Sequence, residues 1–187
     1  MNLNYGPEYK NFKKEVISFC KKWEGVHFVD EAKSPLTPIT RVGGKKITRT
    51  KWQSILIREG YFARSIPKKY GGYGGESDVI KNRIIASEFS NHGVPSPMGG
   101  QGIDMLVPTL LELGTEEQKK QYIEKTLLGE IIWCQGYSEP NAGSDANSGK
   151  TTAELTPDKK YYKINGQKMW ISNAGFAKLF IVFARIE

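Results

Sequence analysis

Apolar positions repeat with helical spacing over the first two thirds of the chain. In PEYKNFKKEVISFCKKWE, residues Phe12, Val16, Phe19, Cys20 and Trp23 recur at steps of three and four, with Pro7 suited to a first turn and Gly25 to the end. After a predicted loop through residues 31–40, a second helix carries Trp52, Ile55 and Leu56 and stops at Gly60. A third begins at Ser77 or Asp78 and turns Ile80, Ile84, Ile85 and Phe89 inward. IDMLVPTLLEL ends at Gly114, and Thr115 with Gln118 forms a capping box for TEEQKKQYIEKTL.

From about Ile131 the period changes. KTTAELTPDKKYYKINGQKMWIS offers strand-forming stretches interrupted at Thr156-Pro157-Asp158 and at Asn165-Gly166, and the latter pair is a strong hairpin signal. A last strand is predicted in KLFIVFARI. The pattern implies an α+β chain with a helical domain over residues 1–130 and the beginning of a β domain over 131–187. Two or three strands cannot close a sheet or protect its edges, so the chain reads as a fragment or as one member of a larger assembly.

Composition narrows the classes. A chain of 187 residues, 39% hydrophobic and 25% charged, suits a globular protein. Neither a signal peptide nor an apolar run of membrane-spanning length is present, so a cytoplasmic protein is expected. The net charge of +7 comes from lysines dispersed as pairs, without the basic-aromatic stripe of a nucleic-acid binder. Cys20, Cys134, His27 and His92 are too few and too scattered for a metal motif, and both cysteines are expected to be buried thiols.

Two stretches carry candidate chemistry. YGGYGG (Tyr70 to Gly75) lacks the lysine-hydroxyl pair of a phosphate loop and follows no buried strand, so it is expected to be a flexible connector. GYSEPNAGSD (Gly136 to Asp145) combines small residues, which let a ligand approach the backbone, with the hydroxyls of Ser138 and Ser144. Alone, it reads equally as a well-capped loop or as a ligand cradle.

WCQGYSEPNAGSD is followed by INGQKMWISNAG, and together they resemble the acyl-CoA dehydrogenase family. That family shows a hydroxyl-Glu-Pro-small-Ala-Gly-Ser-Asp run and then Asn-Gly-x-Lys-x-Trp-Ile-hydroxyl-Asn-small-Gly. Here Asn141 stands where glycine is commonest and Ser172 where threonine is commonest. IPKKYGGYGG and LLELGTEEQKKQYIEKTLLGE resemble the family's amino-terminal domain, so the likeness extends over nearly the whole chain.

The resemblance implies an all-helical bundle followed by the first strands of a β-barrel-like domain, with the carboxyl-terminal helical domain missing. It implies FAD as cofactor, an acyl-CoA substrate desaturated between its α and β carbons, an electron-transfer flavoprotein as acceptor, and a homo- or hetero-oligomer. Gln135, Tyr137, Ser138, Trp170, Ile171 and Ser172 would then bind the flavin: Ser138 at the pyrimidine edge, Trp170 against the ring, Ser172 near N5. Ser144 would touch the acyl-CoA. The catalytic base would come from the carboxyl-terminal domain, which leaves Glu139 and Asp145 as structural residues accepting backbone hydrogen bonds. An acyl-CoA oxidase, a flavin monooxygenase and a non-catalytic partner subunit are the alternative readings. Gln135-Gly136-Tyr137, bulkier than the matching residues of many fatty-acid members, points to a bulky acyl group.

Overall fold

The computed structural model describes residues 6–29 and 45–186; the loop expected over 31–40 lies outside them. Helix α1 (Pro7–Lys22) opens on Pro7, whose missing N–H costs nothing in a first turn, and carries Lys21 and Lys22 in its last. Strands β1 (His27–Phe28) and β2 (Lys46–Ile47) form a short parallel pair. Helix α2 (Arg49–Arg58) is capped by the Thr48 hydroxyl, and α3 (Val79–Asn91) by the Asp78 carboxylate, which accepts from Lys81 N at 2.9 Å. A π-helical turn over Gly102–Leu106 runs into α4 (Val107–Leu113). The capping box at Thr115 and Gln118 is fully made at the start of α5 (Glu116–Leu127).

Two apolar cores follow from these helical faces. In the first, α1, α2 and α3 bury Val16, Cys20, Trp52, Leu56, Ile84, Ile85 and Phe89, with Phe19 at their centre. The Phe19 ring stacks on Phe89 at 5.8 Å and meets Tyr61 edge-on at 4.7 Å. Ile80, expected to point inward, is exposed in the first turn of α3, four residues before the buried Ile84. In the second core, Val107, Leu110, Ile123 and Leu127 pack with Trp133, and Leu179 and Ile181 lie against them. Gln53, fully buried on α2, joins the two cores: its amide donates to Leu127 O at 3.0 Å and accepts from Met98 N at 3.1 Å.

The glycine-rich stretch is packed rather than flexible. Tyr73, Gly74 and Gly75 donate backbone hydrogen bonds to Ala63, Ile66 and Arg64. Gly72 sits where any side chain would collide with Ile66. The glycines therefore permit close backbone approach.

The β part holds two further sheets. Strand β3 (Trp133–Gly136) pairs in parallel with β6 (Leu179–Val182), Trp133 opposite Leu179 and Gly136 opposite Val182. Strand β4 (Thr152–Leu155) is central, antiparallel to β5 (Tyr162–Asn165) and parallel to β7 (Arg185–Ile186). Two strand expectations need correction. The β4–β5 hairpin turns at Thr156–Tyr161, where the Thr156 hydroxyl and the Asp158 carboxylate satisfy the turn's backbone groups, and not at Asn165-Gly166. Gly166 instead ends β5 pressed against Thr151, and residues 167–171 form no strand. KLFIVFARI is likewise broken into β6 and β7, which serve different sheets.

The register of this three-stranded sheet puts Leu155, Tyr162, Ile164 and Ile186 on one face and Thr152, Glu154, Lys163, Asn165 and Arg185 on the other. Its apolar face is largely uncovered, with Ile186 76% exposed. Gln53→Ala is expected to leave Met98 N and Leu127 O without partners and to cost about 1–3 kcal/mol, read as a lowered urea midpoint. An unchanged midpoint would show that Gln53 does not brace the cores.

Candidate functional site

Glu139 is the fixed point of the second motif. It opens a tight turn, Glu139-Pro140-Asn141-Ala142, in which Glu139 N donates to Ala142 O at 2.7 Å and Ala142 N returns to Glu139 O at 3.1 Å. Proline suits the second position of such a turn, and Asn141 takes the third without a positive φ. The Glu139 carboxylate points back into the protein. Oε2 accepts from Lys150 N at 2.6 Å, while Oε1 accepts from Thr151 N at 2.9 Å and Lys168 Nζ at 2.8 Å.

These donors hold the Glu139 carboxyl far below the usual carboxylate range, the Lys150 amide and the Lys168 ammonium contributing most. A carboxylate held ionised by three donors is a weak base, ill suited to removing a proton from a substrate. Asp145 helps the loop through its main-chain carbonyl, which accepts from Ser148 N at 3.2 Å and from Ser148 Oγ at 2.9 Å.

Lys168 closes the arrangement. Its ammonium, on a side chain only 10% exposed, also donates to Tyr137 O at 3.1 Å. Next along, Met169 N donates to Ser138 O at 2.9 Å. Residues 137–139 are thus tied to 168 and 169 by three hydrogen bonds, two from the lysine head and one from the backbone. Lys168 carries no local sign of this role: its own motif is largely polar, and the other holds two carboxylates, Glu139 and Asp145.

Beyond the clasp stands Trp170, expected on a strand but held at φ 57° in the left-handed region and 83% exposed. A non-glycine residue there costs on the order of 1–3 kcal/mol, sustained only when its surroundings impose it. Asn173, also left-handed at φ 67°, accepts at its carbonyl from Phe176 N and Ala177 N. Its side-chain amide approaches Gln101 Oε1 at 3.4 Å, reaching the π-helical turn of the helical part.

The clasp therefore brings together Tyr137, Ser138 and, one residue beyond it, Trp170. Gln135 lies half-buried on β3 and Ile171 is half-buried after Trp170. Ser172 is exposed at the start of the turn containing Asn173, and Ser144 is exposed just before the Ala146–Ser148 turn. Cys20 and Cys134 are buried free thiols, and burial, aided at Cys20 by the Glu88 carboxylate, raises both; Cys20 reaches about 11. Neither is a poised nucleophile. Among the described residues no helix is long and apolar enough to cross a membrane.

The fold and this loop pair are those of a known family. Residues 26–130 match the acyl-CoA dehydrogenase N-terminal domain, and residues 134–187 match the acyl-CoA dehydrogenase middle domain. The chain belongs to the acyl-CoA dehydrogenase family. It is 39% identical over 147 residues to acyl-CoA dehydrogenase IpdE1 of Mycolicibacterium smegmatis, a match covering 74% of this chain and 37% of that protein. The ChsE4-ChsE5 complex from Mycobacterium tuberculosis superposes with a TM-score of 0.65 at 28% identity, covering 100% of this chain and 44% of that one. An acyl-CoA dehydrogenase from Bacillus anthracis, solved with FAD, superposes with a TM-score of 0.55 at 26% identity over 98% of this chain and 30% of that one. The chain thus spans well under half the length of these relatives.

Glu139→Gln is expected to lower the melting temperature at neutral pH, because it replaces an acceptor for two amides and a cation with a group that also donates. Since the folded carboxyl titrates below its unfolded value of about 4.3, its contribution is complete above that value and is lost as pH falls through the folded one. The gap between wild type and variant should therefore narrow in acid. A gap independent of pH would contradict the ionised cage.

Proposed function

We propose that this chain forms the amino-terminal helical domain, residues 1–130, and the first part of the β domain, from residue 131, of an FAD-dependent acyl-CoA dehydrogenase. The reaction is desaturation of an acyl-CoA thioester between its α and β carbons. The observation that carries this reading is the clasp: it ties Ser138 to Met169, the residue before an exposed Trp170, in the two motifs that mark the family. An exposed apolar plane and a hydroxyl carried on one clasp suit a flat ring with a polar edge, as the isoalloxazine of FAD has.

FAD, when bound, supplies the acceptor for the hydride leaving the β carbon. The residues of this chain bind and orient. Ser138 offers its hydroxyl to the ring's pyrimidine edge, where a fixed donor favours the charge that develops on reduction. Trp170 covers part of the ring and keeps water from it. Ser172 donates near N5, Gln135, Tyr137 and Ile171 complete the wall, and Ser144 contacts the acyl-CoA.

Glu139 is not the base, since two amides and the Lys168 ammonium hold it ionised and lower its basicity. The base is a carboxylate outside this chain. Electrons pass to an electron-transfer flavoprotein, and the bulk of Gln135-Gly136-Tyr137 favours a large acyl group. The likeness to a complex of two different chains supports a second reading of assembly, in which this chain shares its cofactor site with a partner subunit.

The test is flavin uptake. FAD added to the purified protein should give a bound-flavin absorbance spectrum, and Trp170→Ala or Ser172→Ala should weaken binding by about tenfold or more without changing the melting temperature. Acyl-CoA turnover, followed by mass of the enoyl product, should be absent for the chain alone. Uptake that appears only with a second subunit supports the shared site. Uptake indifferent to both substitutions would overturn the assignment of the wall.

A further inference from the structure

We infer that Lys168 is a positioning residue, whose ammonium fixes the strip that carries Trp170 onto the backbone around Ser138; this rests on the flavin reading above but assigns a role that it leaves open. Trp170 has little packing of its own, since most of its surface is open. Its left-handed backbone is a conformation that L side chains rarely adopt. What determines its place must therefore act through its neighbours.

Upstream, the Lys168 head spans Tyr137 O at 3.1 Å and Glu139 Oε1 at 2.8 Å, bracketing the residue between them, Ser138. Met169 N donates to Ser138 O at 2.9 Å, so the chain enters Trp170 already bound to the same serine. Downstream, the side chain of Asn173 reaches Gln101. The lysine stem also lies against Gly136, at a distance where an added Cβ would be in ordinary contact, so stem and head both follow the 136–139 strip. An uncharged thioether as long as the lysine's four-carbon stem would keep the stem's packing and lose both oxygen contacts. Lys168→Met therefore separates position from packing.

Tryptophan labelled with fluorine at ring position 5 gives four resonances, one for each tryptophan of the chain. The Trp170 resonance is identified by Trp170→Phe. Lys168→Met should shift it or split it into several, while those of Trp23 and Trp52 in the first core stay in place. FAD affinity should fall by about tenfold, and Lys168→Arg, which keeps a cationic donor, should restore much of it. An unmoved Trp170 resonance in a folded Lys168→Met protein overturns the proposal.

If Lys168→Met does not fold, amide exchange in the unaltered protein decides instead. Met169 N–H should be protected on the order of tenfold over the exposed Gln167 N–H, and equal exchange overturns the clasp. Should the wild-type protein take up no FAD under any condition, the flavin wall falls. The Trp170 resonance and Met169 exchange still decide the positioning role.

Discussion

A carboxylate turned inward has to be satisfied, and the architecture of the second half of the chain follows from how Glu139 is. Water cannot solvate a side chain that is 8% exposed, so its oxygens must find donors within the protein. They find the amides of Lys150 and Thr151 and the ammonium of Lys168, on two segments distant from each other in sequence. Three strips of chain meet because one charge requires it. The worth of such a pair lies in register more than in stability. A slip of one residue in any strip would leave a buried charge unpaired, a far larger penalty than the pair's net gain.

The two halves are built on different terms. The helical part closes its first core by itself through the aromatic cluster about Phe19, and Gln53 ties that core to the second. The β part is anchored to it along one line: Trp133 is buried in the second core, its indole N–H donating to Thr126 Oγ1 at 2.9 Å, while Leu179 and Ile181 pack alongside. Away from that line the three-stranded sheet leaves Leu155, Tyr162, Ile164 and Ile186 open. The register is specified by alternation even so, because a one-residue slip would place lysine and glutamate on that face. Sequence-coded amphipathicity thus precedes whatever covers it.

What the sequence made legible follows the range of the interactions concerned. Caps at Asp78 and Thr115 depend on residues a turn apart, and local chemistry reveals them. The helical stripes are nearly as local, and Ile80 misleads because, four residues before the buried Ile84, it is exposed in the first turn of α3. The interruption expected at Thr156-Pro157-Asp158 is the β4–β5 turn, whereas Asn165-Gly166 ends β5 without a hairpin: no strand follows over residues 167–171, and Thr151 occupies the space beside Gly166. The glycines of YGGYGG look like freedom in one dimension and prove to be close packing in three. The structural role of Glu139 was accessible only through the family resemblance, which expects the base elsewhere. Lys168 as its counter-charge was not, since nothing local distinguishes a lysine that bridges two motifs from one on a solvated surface.

Trp170 shows why these constraints belong together. Burying an indole yields more than almost any other side chain can, yet this one stays outside both cores at a backbone angle that costs free energy. Folding alone gives no reason to keep it there. The strip before it is fixed by Lys168 and Met169, and the turn after it reaches Gln101, so the chain has little freedom to relax into a strand. Strain held in this way fixes the backbone beneath the indole, so a large apolar side chain is presented outward with little packing of its own. The inward charge of Glu139 and the outward indole of Trp170 are two ends of one device: the first secures the register that the second needs.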